Sequence, residues 1–503
     1  MGKMYGKRLN QHEFEDFYLP FGGKLRSDNR WVVKAKLIPW DEFEESYSKN
    51  FSSNGQGAPS KPVRIALGAL IIKERLGTSD EETVEQIREN PYLQYFLGSH
   101  AYQEEALFDP SMFVHFRKRF DRATLVSVNE RIVQLAMEQE AACSKIADDS
   151  DDEEPPSSKN KGKLIIDATC APSDISYPTD LNLLNEAREK AEAIIDVLHE
   201  PRIGQYLKPR TYRRQARKSY LSAAKCRRLS ASKRRKAIRK QLGYLRRDLK
   251  HIEALSREES LELLSRHQYH NLLVIHELFR QQWQMYSQHS NRIDDRIVSI
   301  AQPHIRPIVR GKIKSPTEFG AKLSAAVISG YAFLDNLNWD AYNESTDLIP
   351  QVEKYRTRHG FNPESVHADQ IYRTRENRDY CKRNDIRLSG PPLGRPPKIT
   401  PENKTEMAQR KRQQRQDEID RIEIEGKFGV AKRYYSLGRI MTKLAETSES
   451  TIALTFLVMN LKKWLKATFL CLFPEKIMCL MKQTGYVLLQ YYCQEQKNMV
   501  YAK

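Results

Sequence analysis

Three acidic residues in this chain are of a type, and in a setting, that could do chemistry. Asp167 closes the short apolar run Leu164-Ile165-Ile166, and Asp369 closes Ser365-Val366-His367-Ala368. Each run is short and continuous, which suits a strand rather than a helix and predicts both acids at strand ends. Two carboxylates on rigid neighbouring strands can hold divalent cations through hard oxygen ligands and leave positions open for a phosphate, as a two-metal phosphodiester site requires. Alone, either acid reads equally well as a helix cap or a strand-end residue facing solvent.

A third carboxylate has to come from a helix packed across those strand ends, and the row RIEIEGKFGVAKRYYSLGRI offers Glu423 and Glu425. Arg421, Glu425, Phe428, Lys432 and Arg439 share one helical face, whereas Glu423 points nearly opposite. Glu425 is therefore the ligand candidate, with Arg421 and Lys432 beside it to grip phosphates. Glu418, two turns upstream, is a weaker rival on that face. A salt-bridged surface helix would explain Arg421 with Glu425, but not Phe428, Gly426 and Gly429 in the same row.

The elements that must position these acids are legible in outline. Before them, PVRIALGALIIKERLG from Pro62 has helical apolar spacing and stops at Gly77, and Ser79 with Glu82 makes a capping box for the next helix. Asn90-Pro91 breaks that helix, and Tyr92–Leu97, Pro110–Phe120 and Arg122–Gln139 complete a helical unit over 1–145, either a helix-turn-helix or an ordinary bundle. Residues 146–163 form a linker, with DDSDDEEPPSSKNKGK offering nothing apolar to bury.

From 164 the period changes. After the Asp167 strand, Asp180 is placed to cap a helix over Leu181–Leu198, and the chain stays helix-rich to about Arg292, giving a helical insertion over 181–312. Glu318–Ile328 and the run GYAFL, around Ser329-Gly330, predict a hairpin. A helix over Leu348–His359, the Asp369 strand, a helix over Asn377–Arg383 and a strand at Ile386–Leu388 follow, so the catalytic unit 164–470 reads as a mixed sheet flanked by helices. Charged helix-formers fill Thr400–Ala445, Thr451–Leu465 is an amphipathic helix that would cover the sheet, and 471–503 is read as a helical tail. The Pro- and Gly-rich stretch at 391–397 is read as a rigid loop, with a minor-groove Arg hook as the alternative.

The charge balance narrows the partners: 83 Lys and Arg against 65 Asp and Glu leave +18, which points to a polyanion. The window 201–250 holds Arg213, Arg214, Lys233, Arg234, Arg235 and Lys236 among its many bases, with Asp248 as its only acid, a pattern suited to nucleic-acid backbone. Seven scattered cysteines without ligand spacing and an N-terminus without a signal-peptide core predict a reducing cytoplasm. Lysines interrupt the apolar stretches after Leu454, which excludes spans of a bilayer there.

Several separate rows together resemble the DDE transposases of bacterial insertion sequences, in the superfamily of the insertion-sequence-four and insertion-sequence-five types with an RNase H-like core. ALGALIIKERLG and FDPSMFVHFRKRF are similar to the helical domain that precedes that core. LIIDATCAPSDISYPTDLNLLNEAR and VHADQIYRTRENRDY resemble the blocks holding the first two catalytic acids, which fall on Asp167 and Asp369. RIEIEGKFGVAKRYYSLGRI resembles the third, placing its Arg, Glu and Lys on Arg421, Glu425 and Lys432. EFGAKLSAAVISGYAFLDNLNWDAYNESTDL is similar to the family's hairpin region.

The resemblance implies an α/β fold, with an RNase H-like mixed sheet interrupted by a helical insertion and preceded by an all-α domain. It implies two Mg²⁺ or Mn²⁺ ions on Asp167, Asp369 and Glu425, cleavage and transfer of double-stranded DNA at terminal inverted repeats and target, a homodimer in the synaptic complex, and a nucleoid-associated bacterial protein with no membrane role. Two departures stand out. Glu418 occupies the position where many relatives carry Tyr, and the extra mass is helical and lies after Asp167, where the best-known relatives have a β-rich insert before the Glu helix. A non-catalytic DNA-binding regulator and an RNase H-like nuclease without strand transfer are the alternatives.

Overall fold

The computed structural model describes residues 17–19, 23–49, 51, 60–147, 160–309, 317–392, 394, 400 and 403–469. The helical unit comprises α1 (Arg30–Leu37), α2 (Trp40–Ser48), α3 (Val63–Leu76), α4 (Asp80–Glu89), α5 (Pro91–Phe96), α6 (Met112–Arg119) and α7 (Arg122–Ala147). Local chemistry sets several of these bounds. Gly77 ends α3 at φ 71° and returns its N–H to Lys73 O, a left-handed cap that glycine adopts without strain. Ser79 caps α4 by accepting from Glu82 N–H, but Glu82 accepts from Gln86 rather than reaching back, so half of the expected capping box is present. The helices α1 and α2 escaped the sequence reading; Trp31 and Trp40 anchor them edge-on to Phe96 at 5.1 and 5.4 Å.

The sheet is built from β1 (Lys163–Pro172), β2 (Arg306–Val309), β3 (Thr317–Ile328), β4 (Tyr331–Asn338), β5 (Ser365–His367) and β6 (Arg387–Leu388). β1 lies centrally, antiparallel to β3 on one edge and parallel to β5 on the other, and β6 continues parallel beyond β5. β2 and β4 both pair antiparallel with β3. β3 and β4 form the predicted hairpin, and Ser329 and Gly330 at its turn have φ of 48° and 76°, as a tight two-residue connection requires. β2 falls within the span read as helical insertion; its four residues are too few to show a strand period.

Between β1 and β2 stand α8 (Asp180–His199), α9 (Arg213–Ala224), α10 (Ala231–Ser256) and α11 (Arg266–Ser287). The cap of α8 is Thr179, whose hydroxyl accepts from Asn182 N–H; Asp180, expected in that role, instead accepts from Arg296 at 2.6 Å and Gln282 at 2.9 Å. These helices have an apolar cluster of their own around Leu184, Ile195, Leu242 and Ile275. The helical N-terminal unit does not: one continuous cluster runs from Trp31 and Leu70 to Leu164, Leu323 and Leu457.

After β4 come α12 (Leu348–His359), α13 (Arg375–Arg383), α14 (Lys404–Tyr434) and a last helix, α15, over 445–469. Asn460 on α15 donates to Ala332 O on β4 at 2.7 Å and to Asn129 on α7 at 2.9 Å, so α15 covers the hairpin as its apolar face predicts. Most of the linker, the 395–399 part of the Pro-rich stretch and the 471–503 tail lie outside the described residues.

Candidate active site

Asp167 sits within β1 rather than at its end. The strand runs on to Pro172 because β3 pairs with it throughout, Asp167 opposite Ala325 and Pro172 opposite Gly320. On the other edge β5 pairs through Ile165 with His367, and two more residues along both strands bring Asp167 level with Asp369. Asp369 lies just beyond β5 and caps the short 3₁₀ turn Gln370–Tyr372. Each carboxylate accepts the N–H of the next residue, Ala168 at 2.8 Å for Asp167 and Gln370 at 2.7 Å for Asp369.

Glu425 approaches from α14, whose Ile424, Phe428 and Ala431 are buried against the sheet while Glu425 stays half exposed. Arg421 bridges two of the acids, with Nη1 3.7 Å from Asp369 and Nη2 3.1 Å from Glu425. Its charge also bears on Asp167. Burial pushes the Asp167 carboxyl up to about 6, opposed by the Ala168 N–H and Arg421 and reinforced by the negative charges of Asp369 and Glu344. The three predicted acids and Arg421 thus share one electrostatic neighbourhood. Lys432 follows two turns along α14, about 10 Å from Glu425 along the axis. Glu423 is exposed on the other side of the helix, as its spacing predicts.

Among the described residues no group of three or more His, Cys, Asp or Glu stands grouped as a metal-ligand set. As it stands, Arg421 supplies the positive charge between Asp369 and Glu425. The donors are nonetheless of the right kind for a hard divalent cation: carboxylate oxygens from a central strand, a strand end and a helix, with negative charge in surplus around Asp167.

A polar seam that the sequence reading missed fixes α14 on the sheet. Asp417 accepts from Arg387 of β6 at 2.8 and 2.9 Å, and Asp420 accepts from Lys163 of β1 at 2.6 Å. His367 of β5, fully buried, lies between them, 3.7 Å from Asp417 and 3.9 Å from Asp420, with its Nε2 3.0 Å from the Ser365 hydroxyl. Burial would raise Asp417, but Arg387 and Gln413 donating to it hold it below its ordinary value. The three neighbouring strands β1, β5 and β6 therefore all meet α14 one to two turns before Glu425. The available signal was an Asp pair on the buried face of α14 and a His two residues before Asp369.

A second missed contact joins the helical unit to the site's flank. Buried Glu74 of α3 accepts from Ser436 N–H at 2.9 Å and from the Thr455 hydroxyl at 2.6 Å. Ser436 follows directly on α14, so the N-terminal helices hold the end of the helix that carries Glu425.

The basic residues of the insertion divide. Arg214 is exposed and, with Arg217, Lys218 and Lys225, lines an open shelf on α9. Lys233, Arg234 and Lys236 are exposed at the start of α10. Arg213 is instead engaged with Asp196 and Glu192, and Arg235 lies over the Tyr286 ring at 4.0 Å while donating to Tyr286 O. No helix among the described residues is long and apolar enough to cross a membrane.

Two segments of the chain match known protein families. Residues 366–462, which include Asp369, Arg421, Glu425 and Lys432, match the family described as Transposase DDE domain. Residues 20–119 match the Transposase domain (DUF772) family, and Asp167 lies outside both segments. An uncharacterized protein of Rhizobium meliloti, ORF8 in the nfe locus, is 30% identical over 156 residues, 31% of this chain and 68% of that protein. No solved structure matches. The two matched segments are both transposase families, one in the helical unit and one over β5 to α15, which supports a bacterial insertion-sequence transposase.

Proposed function

We propose that the protein cuts the terminal inverted repeats of its own element and joins the freed ends to target DNA, using Asp167, Asp369 and Glu425 as one catalytic set. The observation that carries this reading is the convergence of the three acids, 258 residues apart at the extremes, around Arg421. The sheet order supports an RNase H-like core within the insertion-sequence-four and -five superfamily: an antiparallel β1–β3–β4 meander, continued by β5 and β6 parallel to β1.

Asp167, Asp369 and Glu425 would hold two Mg²⁺ or Mn²⁺ ions, which when bound activate the attacking oxygen and stabilise the leaving 3′ oxygen. The protein's own part is positional. β1 and β5 fix two carboxylates side by side, and the seam at Asp417 and Asp420 fixes α14 so that Glu425 faces them. Arg421 neutralises the acids before substrate arrives and is free to turn to a phosphate once other cations take that role. Attack on phosphorus by water breaks the bond to the 3′ oxygen in cleavage, leaving a 3′-OH and a 5′-phosphate; attack by that 3′-OH on a target phosphorus forms the new phosphodiester and breaks that phosphorus's bond to the target's own 3′ oxygen, which leaves as a 3′-OH.

Exposed Arg214, Lys233, Arg234 and Lys236 supply salt-dependent affinity for duplex backbone, and pairing of two ends requires a dimer. The test is cleavage of DNA flanking the native gene in Mg²⁺ and in EDTA, with wild type and Asp167→Ala, Asp369→Ala and Glu425→Ala. Metal-dependent cuts at the repeat ends, lost in all three variants, are expected. Binding without cutting by wild type would overturn the catalytic reading, and cutting without joining of 3′ ends would reduce it to a nuclease.

A further inference from the structure

The face of α14 turned away from the sheet is unlike an ordinary solvated helix face. Positions 412, 415, 419, 422, 426, 429 and 433, at alternating steps of three and four, form one stripe along it. At its middle Ile419 and Ile422 are 50% and 59% exposed. Gly426 and Gly429 follow, and a Cβ built at either meets nothing within 4 Å. A glycine inside a helix is about 1 kcal/mol less favourable than alanine. Among the described residues nothing offsets that, since neither glycine has a positive φ and no described element approaches them.

The ends of the stripe are cationic. Arg412, Arg415 and Arg433 are exposed and form no ion pair among the described residues, whereas nearby Arg410 is paired with Glu406. Glu425 immediately precedes Gly426, so the small central part of the stripe borders the candidate catalytic acid.

We propose that this stripe is a docking face for duplex DNA, with Gly426 and Gly429 letting the sugar–phosphate backbone come into contact with α14 beside Glu425, and with Arg412, Arg415 and Arg433 holding phosphates on either side. Charge complementarity selects this occupant. A second helix laid on the stripe would bury the two isoleucines but would have to bring a carboxylate to each of three guanidinium groups, because a buried unpaired charge is strongly destabilising. A phosphate backbone satisfies the arginines and needs the glycines. From 412 to 433 the stripe is about 32 Å long at 1.5 Å per residue, close to the roughly 34 Å of one duplex turn.

This inference rests on the transposase reading, and the experiment separates the two. Full-length wild type, Gly426→Leu, Gly429→Leu and Arg412→Gln/Arg415→Gln are compared on a duplex carrying the element's terminal repeat, by equilibrium binding in EDTA, cleavage in Mg²⁺, thermal unfolding and sedimentation. Both leucine variants are expected to melt at or above the wild-type temperature, because leucine favours the helix and meets no atom. Their binding and cleavage are nonetheless expected to fall at least about tenfold, as misplacement of substrate by an ångström or so suffices for that. The double glutamine variant is expected to lower the slope of log affinity on log salt by about 0.9 for each phosphate contact removed.

Binding in EDTA keeps an effect on Glu425's own chemistry apart from an effect on docking. Wild-type binding and cleavage by both leucine variants would overturn the inference while leaving the transposase reading standing. Loss of a dimer with DNA affinity intact would overturn it in favour of a second copy on this face. A wild type that neither binds nor cuts the repeat would sink the underlying reading itself, and the docking face with it.

Discussion

Asp167 in the sheet and Asp248 in the helical insertion are both carboxyls that burial pushes up, to about 6 and about 8. Their surroundings differ. Asp167 lies level with Asp369, in range of Arg421, on the side of the sheet where α14 leaves Glu425 and Asp369 open to solvent. Asp248 is sealed inside α10 against α8, both oxygens without a hydrogen-bond partner, with Glu192 adding to its shift and Arg188, Arg247 and Arg213 opposing it. Each perturbed acid has a second acid near it, Asp369 for Asp167 and Glu192 for Asp248, but only in the sheet is that neighbour open to solvent.

The largest test of this contrast is chemical. Asp369→Asn should reduce repeat cleavage by roughly a thousandfold or more, as loss of a catalytic group does, while Asp248→Asn cuts like wild type. Equal losses in both variants would erase the distinction. Next comes the seam. Asp417→Ala removes the partner of Arg387 and His367 and should destabilise the protein by about 2 kcal/mol, allowing for the partial exposure of Arg387, with slower cleavage because α14 is no longer fixed. Unchanged unfolding and cleavage would show that apolar contact alone positions Glu425.

Asp248 gives the pH test. Its folded-state affinity for a proton exceeds that of an ordinary unfolded Asp, so folding takes up a proton between about pH 4 and about pH 8, and stability falls as pH rises through that window. Asp248→Asn should flatten that decline and raise the melting temperature at pH 8 relative to wild type, a stability gain with no effect on cutting. Identical pH profiles would mean that Asp248 ionises freely in the folded protein. The smallest effect concerns the two neighbouring arginines of α9. Arg214→Gln should lower the salt slope of DNA binding by about 0.9. Arg213→Gln should leave it unchanged and cost stability by at most about 1 kcal/mol, since its ion pairs are part-exposed.

How much of this was readable in advance follows from the range of the interactions involved. The hairpin was legible because turn chemistry and strand period are both local, and so was the orientation of Glu425, since helical spacing alone separates it from Glu423. Asp167 was expected at a strand end because the apolar run stops there, yet the strand's length is set by β3, about 150 residues later. Thr179 and Asp180 are both good caps in sequence; Arg296, more than a hundred residues away, draws Asp180 into another role. The split between Arg213 and Arg214 was equally invisible, because a run of bases does not say which of them Asp196 on α8 will claim. The seam joins four elements from across the chain, so no window of sequence contains it.

The contact between Asp180 and Arg296 has a consequence for how the chain assembles. These residues are 116 apart, and Gln302 donates to Asp174 O just below them at 3.2 Å, so the insertion enters and leaves through a cross-linked neck. Because the insertion has its own apolar cluster, it can form before the sheet does. Once its neck closes, β1 and β3 search for one another across a short tether rather than a long loop, and the entropy of bringing them together approaches that of a local pairing. The same neck makes the insertion a detachable unit, one that can be exchanged for another folded body without changing the register of the strands that carry Asp167 and Asp369.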